Sequence, residues 1–171
     1  PELTLCYEML KESSSKVWNQ LESMIEKYPP YGSNERKKYY YSIRDEWNSG
    51  VSKLKSMSKI DKIHRVAQTI FLNKTCFNGL FRVNSKGEFN VPLGNYKNPS
   101  FPSEEDLLSV QSALKKVTIH LGSFETSKEF IDGTTFIYLD PPYRPLSETS
   151  HFVSYSKGTF DDDDQRRLAT L

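Results

Sequence analysis

Phe136-Ile137-Tyr138-Leu139-Asp140-Pro141-Pro142-Tyr143 carries more structural information than any other stretch of this chain. Phe136 to Leu139 predict a buried strand, which ends in an acid, two prolines and an aromatic. Pro142 pushes Pro141 towards an extended conformation, and neither proline has an N–H to donate. The Asp140 carboxylate and the Pro141 carbonyl can therefore face together, as acceptors, into a cleft above a sheet, with Tyr143 offering a flat surface beside them. Such a site suits a planar group carrying an amine. Asp-Pro-Pro is also ordinary turn chemistry; the strand before it and the aromatic after it favour the site.

The residues upstream supply the rest of the expected sheet. Ser103 with Asp106 reads as a capping-box start for a helix through Leu107, Leu108, Val110, Gln111 and Leu114, with Lys115-Lys116 suited to its end. Val117 to Leu121 predicts a short strand with Gly122-Ser123-Phe124 at its tip, then a brief helix from Glu125 to Ile131 and a turn at Asp132-Gly133. Helix, strand, helix, strand predicts an α/β fold with a parallel sheet, whose ligands sit beyond the carboxyl ends of the strands. Asp161 to Asp164 lead into a helix from about Gln165. Four acids there complement the helix dipole, with a calcium or magnesium site as the alternative reading.

The first hundred residues read differently. Leu3, Tyr7 and Leu10, then Val17, Leu21, Met24, Ile25 and Tyr28, recur at near-helical spacing on either side of Ser13-Ser14-Ser15, which predicts two helices with Ser15 as a cap. Glu35 to Trp47 predicts a helix or an ordered loop; its Arg36-Lys37-Lys38 reads as a solvated charged face before it reads as phosphate contacts. Residues 59 to 75 predict a helix with Ile60, Ile63, Val66, Ala67, Ile70 and Phe71 on one side and His64, a packing or surface histidine, at its boundary. Phe81-Arg82-Val83-Asn84 and Glu88-Phe89-Asn90-Val91 bracket Ser85-Lys86-Gly87, a hairpin pattern; such two-stranded ribbons fit a DNA major groove.

Composition bounds the function. With 36% apolar residues, ten Phe and ten Tyr, composition argues against disorder, while a net charge of +1 means that only a locally basic face could serve nucleic acid. Cys6 and Cys76 lie in apolar surroundings without ligand spacing, so two buried free thiols are expected, no metal, and a cytoplasmic location. No apolar run approaches membrane-spanning length.

Two further sets of words carry a resemblance. Phe71 to Asn84, reading FLNKTCFNGLFRVN, and Gly87 to Tyr96, reading GEFNVPLGNY, join Asp140 to Thr149, with Phe152, Tyr155, Phe160, Asp164, Gln165 and Leu168 downstream. Together they resemble the Dam-type DNA adenine-N6 methyltransferases, the D12 class, in the branch that modifies GATC and includes restriction-linked enzymes. The resemblance implies a partial Rossmann-like methyltransferase sheet beside a mainly helical target-recognition region that carries the hairpin. It implies S-adenosylmethionine as cofactor and double-stranded DNA as partner, with the complete enzyme acting as a monomer.

By the same resemblance, Asp140, Pro141, Pro142 and Tyr143 are the catalytic residues: the acid and the Pro141 carbonyl accept the adenine amine, and Tyr143 stacks on the flipped base. Arg82 grips a guanine, Leu80 and Pro92 meet a thymine methyl, and Phe77 wedges into the stack beside Asn78. Tyr96, Lys74 and Lys97 are backbone contacts, and Ser147, Thr149, Phe152 and Tyr155 belong to a closing segment. Phe124 falls near the cofactor adenine, with Asp140 also on the cofactor side. Ser123 stands where relatives place an acid. Apart from the family, Leu80 and Pro92 read equally well as hairpin packing, and Lys86 as a solubilising residue.

The expected organisation is residues 1–28 as helices continuing a catalytic part, 29–102 as target recognition with the hairpin at 76–95, and 103–171 as part of the catalytic domain. The family's glycine-rich cofactor loop, the acid that holds the cofactor ribose and an N-terminal lysine are not found in these residues. The expectation is therefore an internal fragment, inactive alone, of an active enzyme. A non-catalytic DNA-binding remnant and an RNA or protein amine methyltransferase stand as alternatives.

Overall fold

The computed structural model describes residues 1–142 and 160–171. Among them are five α-helices: α1 (Glu2–Glu26), α2 (Asn34–Ser49), α3 (Lys59–Thr75), α4 (Glu104–Leu114) and α5 (Asp162–Ala169). Three 3₁₀ segments lie between them, at Val51–Ser56, Phe77–Gly79 and Phe124–Phe130. The chain divides into two units, Pro1–His120 and Leu121–Leu171.

In the first unit α1 buries Leu5 and Met9 before the serines and Val17, Leu21 and Met24 after them, a helical spacing on either side. The expected break between two helical stretches is present as a kink at Ser13, whose backbone is non-helical (φ −152°, ψ 37°). Ser15 is exposed and caps nothing. Ser14 is fully buried, its Oγ 2.6 Å from the Leu10 carbonyl oxygen and 3.0 Å from that of Leu107 in α4, one proton serving either. The serine run thus seats α4 against the bend. Ser103 and Asp106 form the expected reciprocal capping box at the start of α4.

α2 and α3 close the core with Tyr40, Ile43, Trp47, Val66, Phe71 and Leu72. Each large apolar side chain so enclosed contributes about 1.5–3 kcal/mol. The Trp47 indole N–H donates to Thr69 Oγ1 (2.9 Å), and the Arg65 guanidinium lies 4.0 Å over its ring. Arg65 is itself buried, donating to the Trp47 carbonyl (2.6 Å) and pairing with the Glu2 carboxylate (2.7 Å), which ties the start of α1 to α3.

The hairpin pattern of residues 81–91 rests on this core. Its pairing follows one register: Asn84 N–H donates to Glu88 O (2.9 Å), Asn90 N–H to Arg82 O (3.2 Å), and Val83 bridges Phe89 antiparallel. Gly87, at φ +82°, makes the turn, and Asn84 Oδ1 accepts the N–H groups of Lys86 and Glu88. Phe81 and Phe89 meet the Trp47 ring edge-on, at 6.3 and 6.0 Å. The Asn48 side-chain amide then stands in for a neighbouring strand, accepting from Phe89 N–H (2.7 Å) and donating to Phe89 O (3.1 Å). Tyr40 O–H donates to Val91 O (2.8 Å).

The α/β expectation is overturned. Among the described residues there is no strand, only isolated antiparallel bridges at Cys76–Leu93 and Val83–Phe89. Residues 117–121 and 136–139, expected as strands of a parallel sheet, form none; Phe136 is 90% exposed and Tyr138 80%. An extended segment persists as a strand only when a neighbour takes its N–H and C=O groups and something covers its apolar face. Among the described residues neither segment is paired as a strand, and the Val117 carbonyl accepts from the Lys11 side chain (2.6 Å) instead. The brief helix expected from Glu125 is a 3₁₀ segment, Phe124–Phe130.

Candidate functional site

Alternation along the hairpin sorts its residues by side. Phe81, Val83, Phe89 and Val91 face the core, and Leu80, Arg82, Asn90 and Pro92 are exposed on the opposite side. Leu80 and Pro92 are thus presented to solvent rather than used as hairpin packing. Arg82 Nε donates to the Asn90 side-chain oxygen at 2.9 Å. Among the described residues its two terminal nitrogens meet no acceptor.

Phe77 leaves α3 through a sharp turn. Asn78 has φ +54°, the left-handed region that asparagine tolerates better than most residues, and the Asn73 side chain donates to Gly79 O at 2.5 Å. Phe77 N–H is tied to Pro92 O (2.9 Å) while the ring stands half exposed. Behind it Lys74, Asn78, Tyr96 and Asn98 line an open depression of about 380 Å³.

The loop that carries Tyr96 and Lys97 is fastened from an unexpected quarter. Arg36 is neither a solvated residue nor a phosphate contact: it is buried, donating to Pro29 O (2.7 Å), Tyr96 O (2.9 Å) and Lys97 O (3.3 Å), with its guanidinium 4.3 Å from the centre of the Tyr28 ring. Burial pushes Tyr28 above its ordinary pKa, and the Arg36 charge works against that rise. Lys37 and Lys38 are exposed.

In the second unit Asp140 is exposed and Pro141 half-buried. Among the described residues no donor reaches the Asp140 carboxylate or the Pro141 carbonyl, while Pro142 O accepts from Gln165 Nε2 of α5 (3.1 Å). α5 also holds the segment bearing Ser123 and Phe124. Arg167 pairs with Glu125 (3.0 Å) and lies 5.7 Å over the Phe124 ring, which meets Phe160 edge-on at 6.0 Å. Ser123 caps its 3₁₀ segment and hydrogen-bonds the Glu125 carboxylate. Tyr143, Ser147, Thr149, Phe152 and Tyr155 lie outside the described residues.

The acids at 161–164 act as a cap. Asp161 accepts from the N–H groups of Asp163 and Asp164, and Asp164 returns the bond to Asp161 N–H. That backbone bond, with the Arg167 side chain, holds the Asp164 carboxyl below the usual range. No group of three or more metal-binding side chains occurs among the described residues.

The structure therefore gathers Lys74, Phe77, Asn78, Leu80, Arg82, Pro92, Tyr96 and Lys97 in one unit, and Ser123, Phe124, Asp140, Pro141 and Pro142 in the other. Asn90, Arg36 and Asn73 went unrecognised in the sequence. Asn90 was open to discovery from the hairpin register, which sets it opposite Arg82; Arg36 gave no signal, because it sits in a basic run.

Comparison with known proteins now supplies the class. The description "D12 class N6 adenine-specific DNA methyltransferase" matches residues 1–171. The chain is 47% identical to the type II methyltransferase M.MjaIII of Methanocaldococcus jannaschii, over 98% of this chain and 56% of that protein. It is 38% identical to the type II methyltransferase M1.LlaDCHI of Lactococcus lactis subsp. cremoris, over 98% of this chain and 55% of that protein. To the DNA adenine methylase of Escherichia coli K12 it is 36% identical, over 77% and 44%. The chain belongs to the D12 class of N6 adenine-specific DNA methyltransferases. It spans about half the length of the curated relatives it matches. No helix among the described residues is long and apolar enough to cross a membrane.

Proposed function

We propose that the protein carrying this chain transfers a methyl group from S-adenosylmethionine to N6 of an adenine flipped out of double-stranded DNA, within GATC. The observation that carries this reading is the exposed row of Leu80, Arg82 and Pro92 on a hairpin whose other side is anchored in the core. Arg82 suits the O6 and N7 acceptors of guanine, a contact worth about 1–3 kcal/mol of discrimination, and Leu80 and Pro92 suit a thymine methyl. Half-exposed Phe77 is the wedge that fills the gap left by the flipped base, with Asn78 beside it. Lys74, Tyr96 and Lys97 border the same surface and meet the backbone.

The acceptors of the second unit match the other half of the task. The exocyclic amine of adenine is a weak nucleophile, because its lone pair is shared with the ring. Asp140 and the Pro141 carbonyl accept its two N–H bonds, draw the nitrogen towards tetrahedral geometry and orient its lone pair. The proton becomes acidic only as the new bond forms, so hydrogen bonding suffices and no strong base is needed. Flipping costs a few kcal/mol, repaid by stacking on Tyr143 and by contacts of Ser147, Thr149, Phe152 and Tyr155. Phe124, half-buried, offers an aromatic face for an adenine ring and the Ser123 hydroxyl a polar neighbour, so these residues fit the adenine end of the cofactor. When bound, that cofactor supplies the electrophilic methyl.

Residues 29–102 then read DNA, 103–171 form part of the catalytic domain, and 1–28 connect to the rest of it. Two free thiols, Cys6 and Cys76, fit a cytoplasmic location, with the complete enzyme acting as a monomer. The test is methyl transfer to a GATC duplex by the protein that carries this chain. Asp140→Ala abolishes transfer, and Arg82→Ala lowers discrimination at guanine by about 1–3 kcal/mol. Full discrimination in Arg82→Ala would refute the reader assignment, and GATC binding without any transfer would leave a DNA-binding remnant.

A further inference from the structure

We propose that Asn90 is the positioning residue of Arg82 and thereby sets how guanine is read. The proposal rests on the reader role assigned to Arg82 above. The two residues face each other across the turn, joined by the bond from Asn90 N–H to Arg82 O (3.2 Å), so their side chains leave the hairpin together on its exposed side. The Asn90 side-chain oxygen takes Arg82 Nε at 2.9 Å. Nε is only a donor, so the amide must turn its oxygen inward, which fixes the amide orientation as well.

The consequence is geometric. A guanidinium offers five N–H bonds in a planar fork, and guanine can be gripped either from the side, through Nε and one terminal nitrogen, or end-on through both terminal nitrogens. Asn90 occupies Nε and removes the side-on mode. Both terminal nitrogens remain open among the described residues, so the fork is already aligned for end-on contact with O6 and N7. A long side chain otherwise surrenders rotamer freedom when it binds, and this bond restricts it beforehand. Neighbouring Leu80 and Pro92 are apolar and offer no competing acceptor. Asn84, the next residue on the same side, is engaged with Glu88 (2.7 Å) and leaves the guanidinium to Asn90.

The experiment measures kcat/KM on a GATC duplex and on the same duplex with 7-deazaguanine at every site guanine, which removes the N7 acceptor. Wild type, Arg82→Ala, Asn90→Ala and Asn90→Asp are compared in the protein that carries this chain. The 7-deazaguanine penalty is lost in Arg82→Ala, falls about fivefold in Asn90→Ala, as loss of one hydrogen bond predicts, and is kept in Asn90→Asp, which retains the acceptor. A purely structural role for Asn90 would slow both substrates alike and leave their ratio unmoved; that result overturns the proposal, as does an equal loss in Asn90→Asp and Asn90→Ala. A full penalty in Arg82→Ala would overturn the reader assignment itself, and this inference with it.

Discussion

Arg36 concentrates several roles in one side chain. Its three acceptors are backbone carbonyls, two of them in the loop that bears Tyr96 and Lys97, and its flat face covers Tyr28. Arg36→Ala leaves those carbonyls without a donor and removes the stacking, so a loss of about 3 kcal/mol is expected in urea denaturation. Arg36→Lys recovers only a minor part, because a point charge cannot reproduce a planar fork. DNA affinity falls in both variants as the loop loosens. The sequence does not reveal this role, since Arg36-Lys37-Lys38 presents three equivalent cations and only the packing of Tyr28 and residue 96 decides which turns inward. Asp140, by contrast, is legible from its own neighbours, because two prolines without N–H groups dictate acceptors whatever the surrounding fold.

The segment that returns from the hairpin to α3 depends on a close approach at Gly94. Its N–H donates to Thr75 O (2.8 Å), and a Cβ there would sit 2.7 Å from Cys76 O and 2.6 Å from the Tyr96 ring. The Cys76 backbone is fixed at the end of α3 by its own bond to Leu72 O (2.8 Å), so moving the Tyr96 ring alone does not relieve the clash and the segment at Gly94 must shift away from Cys76 as well. Gly94→Ala is expected to cost about 1–3 kcal/mol and to weaken DNA binding. Tyr96→Ala, in contrast, weakens binding with little change in melting temperature. Paired thermal melts and DNA titrations separate the two. Helices α3 and α4 are readable beforehand because apolar spacing and a Ser-x-x-Asp cap are local signals. The break expected within Ser13-Ser14-Ser15 is present as the kink at Ser13, but the sequence cannot show that Ser14 would be buried and satisfied by the Leu10 and Leu107 carbonyls while Ser15 caps nothing.

For the molecule as a whole, enclosure of weak acids links stability to alkaline pH. Burial pushes Cys76 from its usual 9.0 to about 11, and burial with the nearby Glu2 charge pushes Cys6 from 9.0 to about 12. Burial raises Tyr40 as well. These groups stay neutral in the folded chain while the unfolded chain ionises, so the unfolded state sheds protons first and stability falls as pH rises above about 9. The expected slope is about 1.4 kcal/mol per pH unit for each thiol between its unfolded and folded pKa. Urea midpoints between about pH 8 and pH 11 measure it, and Cys76→Ala flattens the curve. The family and the acceptor chemistry are written in short contiguous words such as Asp140-Pro141-Pro142, where each residue constrains the next. So is the helix content, since an apolar repeat needs no distant partner to be recognised. The sheet is another matter: residues 117–121 and 136–139 have strand composition, yet a strand exists only through hydrogen bonds to another segment, and local composition does not supply one. Likewise the exposed row of Leu80, Arg82, Asn90 and Pro92 faces outward because Trp47 and Asn48, more than thirty residues away in sequence, hold the opposite side of the hairpin.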